Sequence, residues 1–195
     1  MKKLGITGEM GSGKSYCSKI FEQYGVPVFY TDDVARDIIN TNDELKKEII
    51  KEFGDVYDEN GLMIKPKIRS IIFVAGGEDK LKILNDLSHH YVFKAFEEFC
   101  IKNKDKKYII AESAILYETK LRDHVDDVIY VYAKESLRMK RAFDRSGFDE
   151  IEYKQRMKDQ IPSDEKMKLS NFVIFNNEGD DIKKQIEEIN NTLNT

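Results

Sequence analysis

The stretch Gly8-Glu9-Met10-Gly11-Ser12-Gly13-Lys14-Ser15 fits the pattern G-x-x-x-x-G-K-[ST] at every fixed position. The chemistry of such a stretch is anion binding. Glycines let successive backbone N–H groups turn toward one point, and a following helix adds the partial positive charge of its N-terminus. Gly8, Gly11, Ser12 and Gly13 would form the cradle, Lys14 would reach the β- and γ-phosphates of ATP, and the Ser15 hydroxyl would hold Mg²⁺. A backbone N–H at Tyr16 can meet the α-phosphate.

A second stretch, Val28-Phe29-Tyr30-Thr31-Asp32-Asp33-Val34-Ala35-Arg36, sets two adjacent carboxylates directly after a short apolar run. Either they dress a helix N-terminus, with Asp32 as its cap, or one of them takes a proton from a hydroxyl. Adjacent residues do not share a helix face, and Asp33 suits the first turn, where it complements the helix dipole. Arg36, four residues after Asp32, suits an intrahelical pair with it or a contact with substrate. Further along, Arg138, Arg141 and Arg145 stand at i, i+3 and i+7, on one helix face. Such a stripe is a solvated basic face paired with Glu135 and Asp144, or a set of cations that swing onto a transferring phosphoryl group and exclude water. Glu112 either assists Mg²⁺ through water or simply ends a strand.

The elements around these residues alternate. Lys3–Thr7 reads as a strand before the glycine turn, and a helix follows from about Lys14 to Tyr24. Val26–Tyr30 reads as a second strand, and a single long helix is expected from Asp33 to about Phe53, with Val34, Ile38, Leu45, Ile49 and Ile50 apolar. Asp58–Gly61 is a turn, and Pro66 to about Lys102 is helical with a break at Gly76-Gly77. Tyr108–Ala111, Val128–Tyr132 and Phe172–Phe175 look like strands. Helices are expected over Ser136–Arg145, onward to Gln160, and from Asp181. Strands alternating with helices predict an α/β fold with a parallel sheet covered on both faces.

With 195 residues, 41% hydrophobic and 35% charged, the chain suits one globular domain and not a disordered or fibrous one. A net charge of −4 with interspersed signs gives no reason to expect nucleic acid or an anionic membrane as partner. No apolar run approaches the length of a signal peptide or a membrane span, so a cytoplasmic protein is expected. Cys17 and Cys100 lack metal-ligand spacing and read as reduced, packed thiols. A GTPase would want Asn-Lys-x-Asp after a strand, but Asn103-Lys104-Asp105-Lys106 ends in lysine. A transporter ATPase would be longer and would carry a second glycine-rich signature. A small-molecule kinase remains the best fit, with a nucleotide-binding switch as the alternative from another class.

Five further segments make this more specific. Behind the phosphate loop, Val28–Arg36 resembles the D-x-D-x-x-A-R stretch of dephospho-CoA kinases, and Leu84–His89 resembles their L-x-x-L-x-H-P motif. Glu112–Glu118 is similar to D-x-P-L-L-F-E, Arg138–Arg145 to a Q-x-x-R-x-x-x-R helix, and Val173–Asn176 to V-I-x-N. Their order and spacing agree over nearly the whole chain. The departures are Tyr30 for the first aspartate, Tyr16 for threonine, Arg138 for glutamine, and His90 and Ala114 for two prolines.

The resemblance implies a P-loop nucleoside monophosphate kinase-like fold with a five-stranded parallel sheet, a helical substrate lobe at about 60–105 and a lid at about 138–165. It implies transfer of the ATP γ-phosphoryl group to the 3′-hydroxyl of dephospho-CoA, with Mg²⁺; the alternative is a kinase for another nucleotide or small alcohol. In that frame Asp32 is the base and Lys14 and Arg141 serve the transferring group. Arg145 joins the ATP site, and Asp32, Arg36, His89 and Glu118 face the acceptor. His89 also suits a structural role beside Phe93, Phe96 and Phe99, which suit the core of the helical lobe.

Overall fold

Parallel strands covered on both faces need apolar side chains at nearly every position, and this chain supplies them in short runs. In the computed structural model, which describes residues 1–72, 78–147, 149–158 and 160–194, five such runs form one parallel sheet. β1 (Lys2–Thr7) lies between β3 (Tyr108–Glu112) and β4 (Asp127–Tyr132), with β2 (Val28–Tyr30) outside β3 and β5 (Phe172–Phe175) outside β4. The expected five-stranded α/β core is therefore present.

The strand order fixes where chemistry can occur. From β1 the chain goes on to the far side of β3, whereas from β3 it goes to the far side of β1. Beyond the carboxyl ends of these two neighbours the connections part, which leaves a crevice. The register sets Ile6 of β1 opposite Glu112 of β3 and Tyr30 of β2 opposite the same Glu112. The phosphate loop thus leaves β1 beside the acid that ends β3.

The chain divides into two compact units, Met1–Tyr30 with Lys102–Thr195, and Thr31–Ile101. In the first, helices α1 (Lys14–Gln23) and α9 (Ile182–Asn194) cover one sheet face. Leu4, Ile6, Ile110, Ile129, Val131 and Ile174 from the strands meet Ile20, Phe21, Ile186 and Ile189 from the helices. Cys17 lies in the same core; burial pushes its thiol up to about 12, so it stays protonated and inert near neutral pH. Among the described residues three helices lie between β4 and β5: α6 (Glu135–Ser146), α7 (Glu150–Met157) and α8 (Ser163–Leu169). The helix expected to run to Gln160 ends at Met157, and α8 is an addition, opening after Pro162 with Asp164 and Glu165 in its first turn.

The second unit holds α2 (Thr31–Thr41), α3 (Asp43–Phe53), α4 (Lys65–Ile72) and nearly all of α5 (Glu78–Lys102). Leu45, Ile49, Phe53, Val56, Tyr57, Ile68, Ile72 and Leu84 form its core. Ile50, expected among the apolar positions, is instead largely exposed. The single helix expected from Asp33 to Phe53 is two helices. Asn42 adopts an extended conformation between them, and its side-chain oxygen accepts from the Leu45 N–H at 2.9 Å, starting a new helix. Val74 and the Gly76-Gly77 break lie outside the described residues.

Replacing Asn42 by alanine should remove that cap and destabilise the chain by about 1 kcal/mol. A thermal melt should then show a midpoint roughly 2–4 °C lower; an unchanged midpoint would mean that the α2–α3 junction does not depend on the cap.

Candidate active site

The site grows from the turn between β1 and α1. Gly11 (φ 82°) and Gly13 (φ 92°) both lie in the left-handed region that side chains avoid. Space is as restrictive as torsion, because a Cβ at Gly11 would overlap the Arg138 carbonyl and one at Gly13 would overlap the Asn176 side chain. The turn is closed by Ser12 N–H donating to the Glu9 carbonyl at 3.0 Å. Asn176, just past β5, clips it from outside, donating from Nδ2 to the Ser12 carbonyl at 2.7 Å. Gly13 then caps α1 without any side-chain acceptor, and the first turn of α1 carries no acid. Its N-terminal amides and positive pole are left for an anion.

Two side chains of that turn meet the acid ending β3. Ser15 Oγ donates to Glu112 Oε1 at 3.2 Å, and Lys14 Nζ lies 3.5 Å from the same oxygen. Glu112 is buried and Lys14 half-buried, whereas Ser15 is exposed. A hydroxyl and a carboxylate are hard oxygen donors, the kind that Mg²⁺ takes together with waters and substrate phosphates. The residues present therefore fit this ion.

The three arginines of α6 are not equivalent. Arg138 is buried, with Nη1 3.1 Å from Glu9 Oε2, so this residue of the stripe is neither solvated nor free to swing. A guanidinium held by a buried carboxylate is an anchor. Arg141 is half-buried, donating from Nη1 to the Gly11 carbonyl at 3.3 Å and from Nη2 to the Asn176 carbonyl at 3.1 Å. Arg145 is exposed. The stripe is thus graded from a fixed residue at the loop to a solvated one about two turns later.

Glu118 and Lys166 complete this side of the first unit. Lys166 is fully buried, and its ammonium lies 3.0 Å from Glu118 Oε1, donates to Gln160 Oε1 at 3.2 Å, and stands 4.0 Å from Glu9 Oε1. Glu118 Oε1 also accepts from the Ile161 N–H at 3.0 Å. Sequence reasoning missed Glu9, Lys166 and Tyr130, whose hydroxyl donates to Glu9 Oε2 at 2.6 Å. Burial and the adjacent Glu9 carboxylate push the Tyr130 phenol up. A lysine on a short polar helix reads as solvated, and a glutamate at a free position of the loop motif reads as nothing. Asn176 was legible only as the last residue of the V-I-x-N resemblance.

The remaining expected residues lie in the second unit. α2 begins at Thr31, so Asp32 and Asp33 both sit within its first turn, and Asp32 does not cap it. Arg36 pairs with Asp33 at 3.0 Å and not with Asp32; both partners are more than half exposed, so the pair adds little stability. The His89 ring lies 6.1 Å, centroid to centroid, from that of Phe93. His90 is exposed and Phe96 is buried.

Comparison with known proteins agrees with this geometry. A family model described as CoaE, dephospho-CoA kinase, matches residues 3–181. The dephospho-CoA kinase of Carboxydothermus hydrogenoformans is 32% identical over 176 residues, covering 89% of this chain and 84% of that protein. Among solved structures, TT1252 from Thermus thermophilus shares the fold with a TM-score of 0.82 at 24% identity, over 99% of this chain and 96% of that one. The dephospho-CoA kinase from Campylobacter jejuni gives 0.67 at 21% identity, over 98% and 97%.

Gly13 and Gly25 separate torsion from space, because both have positive φ but nothing lies within 4 Å of a Cβ at Gly25. Gly25→Ala should cost about 1–2 kcal/mol of stability and leave ATP affinity unchanged. Gly13→Ala must also displace Asn176, and titration with ATP should show binding weakened about tenfold or more. Equal ATP affinity in the two variants would mean that the Asn176 clip does not shape the loop.

Proposed function

The chain belongs to the dephospho-CoA kinase family, and from that premise we propose how its residues move the γ-phosphoryl group of ATP to the ribose 3′-hydroxyl of dephospho-CoA, giving coenzyme A and ADP. The observation that carries this is the meeting of Lys14, Ser15 and Glu112 at the mouth of the phosphate loop. Phosphoryl transfer asks a protein mainly for position and charge.

Residues 8–16 bind the polyphosphate through main-chain N–H groups and the N-terminus of α1, with Lys14 on the β- and γ-phosphates. Ser15 would hold Mg²⁺ with Glu112 supporting it through water, and the ion would supply positive charge to offset that of the phosphates. Tyr30 stands where the family pattern has an acid, and its register opposite Glu112 supports Glu112 as the acid that serves the ion here.

Asp32 accepts the proton of the 3′-hydroxyl as its oxygen attacks the γ-phosphorus and the bond to the β-phosphate oxygen breaks. Its place within the first turn of α2, with Arg36 taken by Asp33, supports a free role for this carboxylate. Arg36 and His89 face the acceptor, in a helical substrate lobe at about 60–105 together with the start of α2. Glu118 serves the acceptor side while holding Lys166. A lid at about 138–165 brings Arg141 and then Arg145 onto the transferring group, and the hydrogen bond of Arg141 to Gly11 supports the first of these. Among the described residues no helix is long and apolar enough to cross a membrane; we take the reaction to be cytoplasmic.

The test is ADP release with dephospho-CoA beside a panel of nucleoside monophosphates and small alcohols. Turnover on dephospho-CoA is expected; turnover only on another acceptor would overturn the assignment. Asp32→Asn should lower kcat by roughly 10²–10⁴-fold with ATP affinity near wild type, and Asp33→Asn should change kcat little. The reverse pattern would move the base to Asp33.

A further inference from the structure

The phosphate loop contains its own negative charge. Glu9 is a residue of the loop and is 4% exposed, yet the loop must receive a polyphosphate. Its Oε2 is held by the Tyr130 hydroxyl at 2.6 Å and by Arg138 Nη1 at 3.1 Å, and its Oε1 lies 4.0 Å from Lys166 Nζ. Lys166 in turn pairs with Glu118 at 3.0 Å. Two carboxylates and two cations therefore share one shielded cluster, and their formal charges cancel. Arg138 is tied to the loop a second way, because its own carbonyl lies against Gly11.

Without Arg138 this balance fails in one direction: the cluster keeps a net negative charge inside the element that binds a polyanion. Two like charges several ångströms apart, shielded from water, repel strongly enough to change an affinity about tenfold or more. Cys17 and Arg141 also lie near the loop, and neither can replace Arg138. The Cys17 thiol is protonated, and Arg141 is engaged with the carbonyls of Gly11 and Asn176.

We propose that Arg138 is a positioning residue for ATP that acts through Glu9, neutralising and orienting the carboxylate of the phosphate loop so that the loop can accept the polyphosphate. This rests on the loop being the ATP site and not on the identity of the acceptor.

The experiment is calorimetric titration of ATP, without acceptor, into wild type, Arg138→Gln, Arg138→Lys, Glu9→Gln and the double variant Glu9→Gln/Arg138→Gln, each shown folded by circular dichroism. Arg138→Gln should bind ATP about tenfold more weakly, and Arg138→Lys should recover most of that loss. Adding Glu9→Gln to Arg138→Gln should restore affinity to within about threefold of wild type, since no carboxylate then needs neutralising. In turnover assays the KM for ATP should move with these affinities while the acceptor KM stays constant, a split that a general loss of structure would not produce.

A double variant as weak as Arg138→Gln alone would show that Arg138 serves ATP directly and would overturn the proposal. So would wild-type affinity in Arg138→Gln. Should Arg138→Gln fail to fold, Glu9→Gln and the double variant decide: equal affinities support coupling through Glu9, and a tenfold weaker double variant sinks it. Tight ATP binding with no turnover on dephospho-CoA would overturn the acceptor assignment and leave this proposal standing.

Discussion

Everything in the first unit depends on one close approach, that of main chain to main chain around residues 8–15. The turn can aim its N–H groups at an anion only if it is pressed between the carbonyl of Arg138 on one side and the amide of Asn176 on the other. No side chain fits at Gly11 or Gly13, and both need left-handed torsions. The sheet order, the start of α6 and the end of β5 follow from this demand, since each must deliver a backbone or side-chain group to the same few ångströms. A loop preorganised in this way meets its ligand without further ordering, which is where binding energy is otherwise lost.

The second constraint is electrostatic. Burying Glu9, Arg138 and Lys166 beside the half-buried Glu118 is costly for each charge alone, and the cluster persists because each charge has an opposite one beside it. The matching also joins the phosphate loop to α6 and α8 and, through Glu118, to the segment after β3. Departures from the family pattern acquire reasons here. Arg138, where glutamine is usual, has a partner in Glu9, and Tyr30, where an acid is usual, neighbours Glu112 across the β2–β3 register.

The aspartate doublet shows how a local rule and a longer pattern divide the same residues. Helix-end chemistry accounts for Asp33, which takes Arg36 and sits in the first turn of α2. It leaves Asp32 without a capping role, since the helix has already begun at Thr31. The Asp32–Arg36 pair, one of the two readings of that spacing, does not form for a simple reason: spacings of three and four both bring side chains together on a helix, and the competing carboxylate at three prevailed.

The sequence by itself determined the anion-binding turn, the five strands, the covering helices and the family, because these depend on short-range patterns: glycine spacing, alternation of apolar runs, and collinear motifs. It also set Lys14 and Ser15 at the start of the helix that follows the loop, since a motif with fixed spacing carries its own position along the chain. It could not divide the helix at Asn42, where one hydrogen bond to Leu45 outweighs a continuous apolar period. Only the tertiary structure decided which charges are buried. Glu9, Arg138 and Lys166 are 129 and 28 residues apart along the chain, and nothing local distinguishes them from solvated neighbours. Burial is a property of what packs around a residue, so their pairing became visible only once the sheet and α6 and α8 had brought them together.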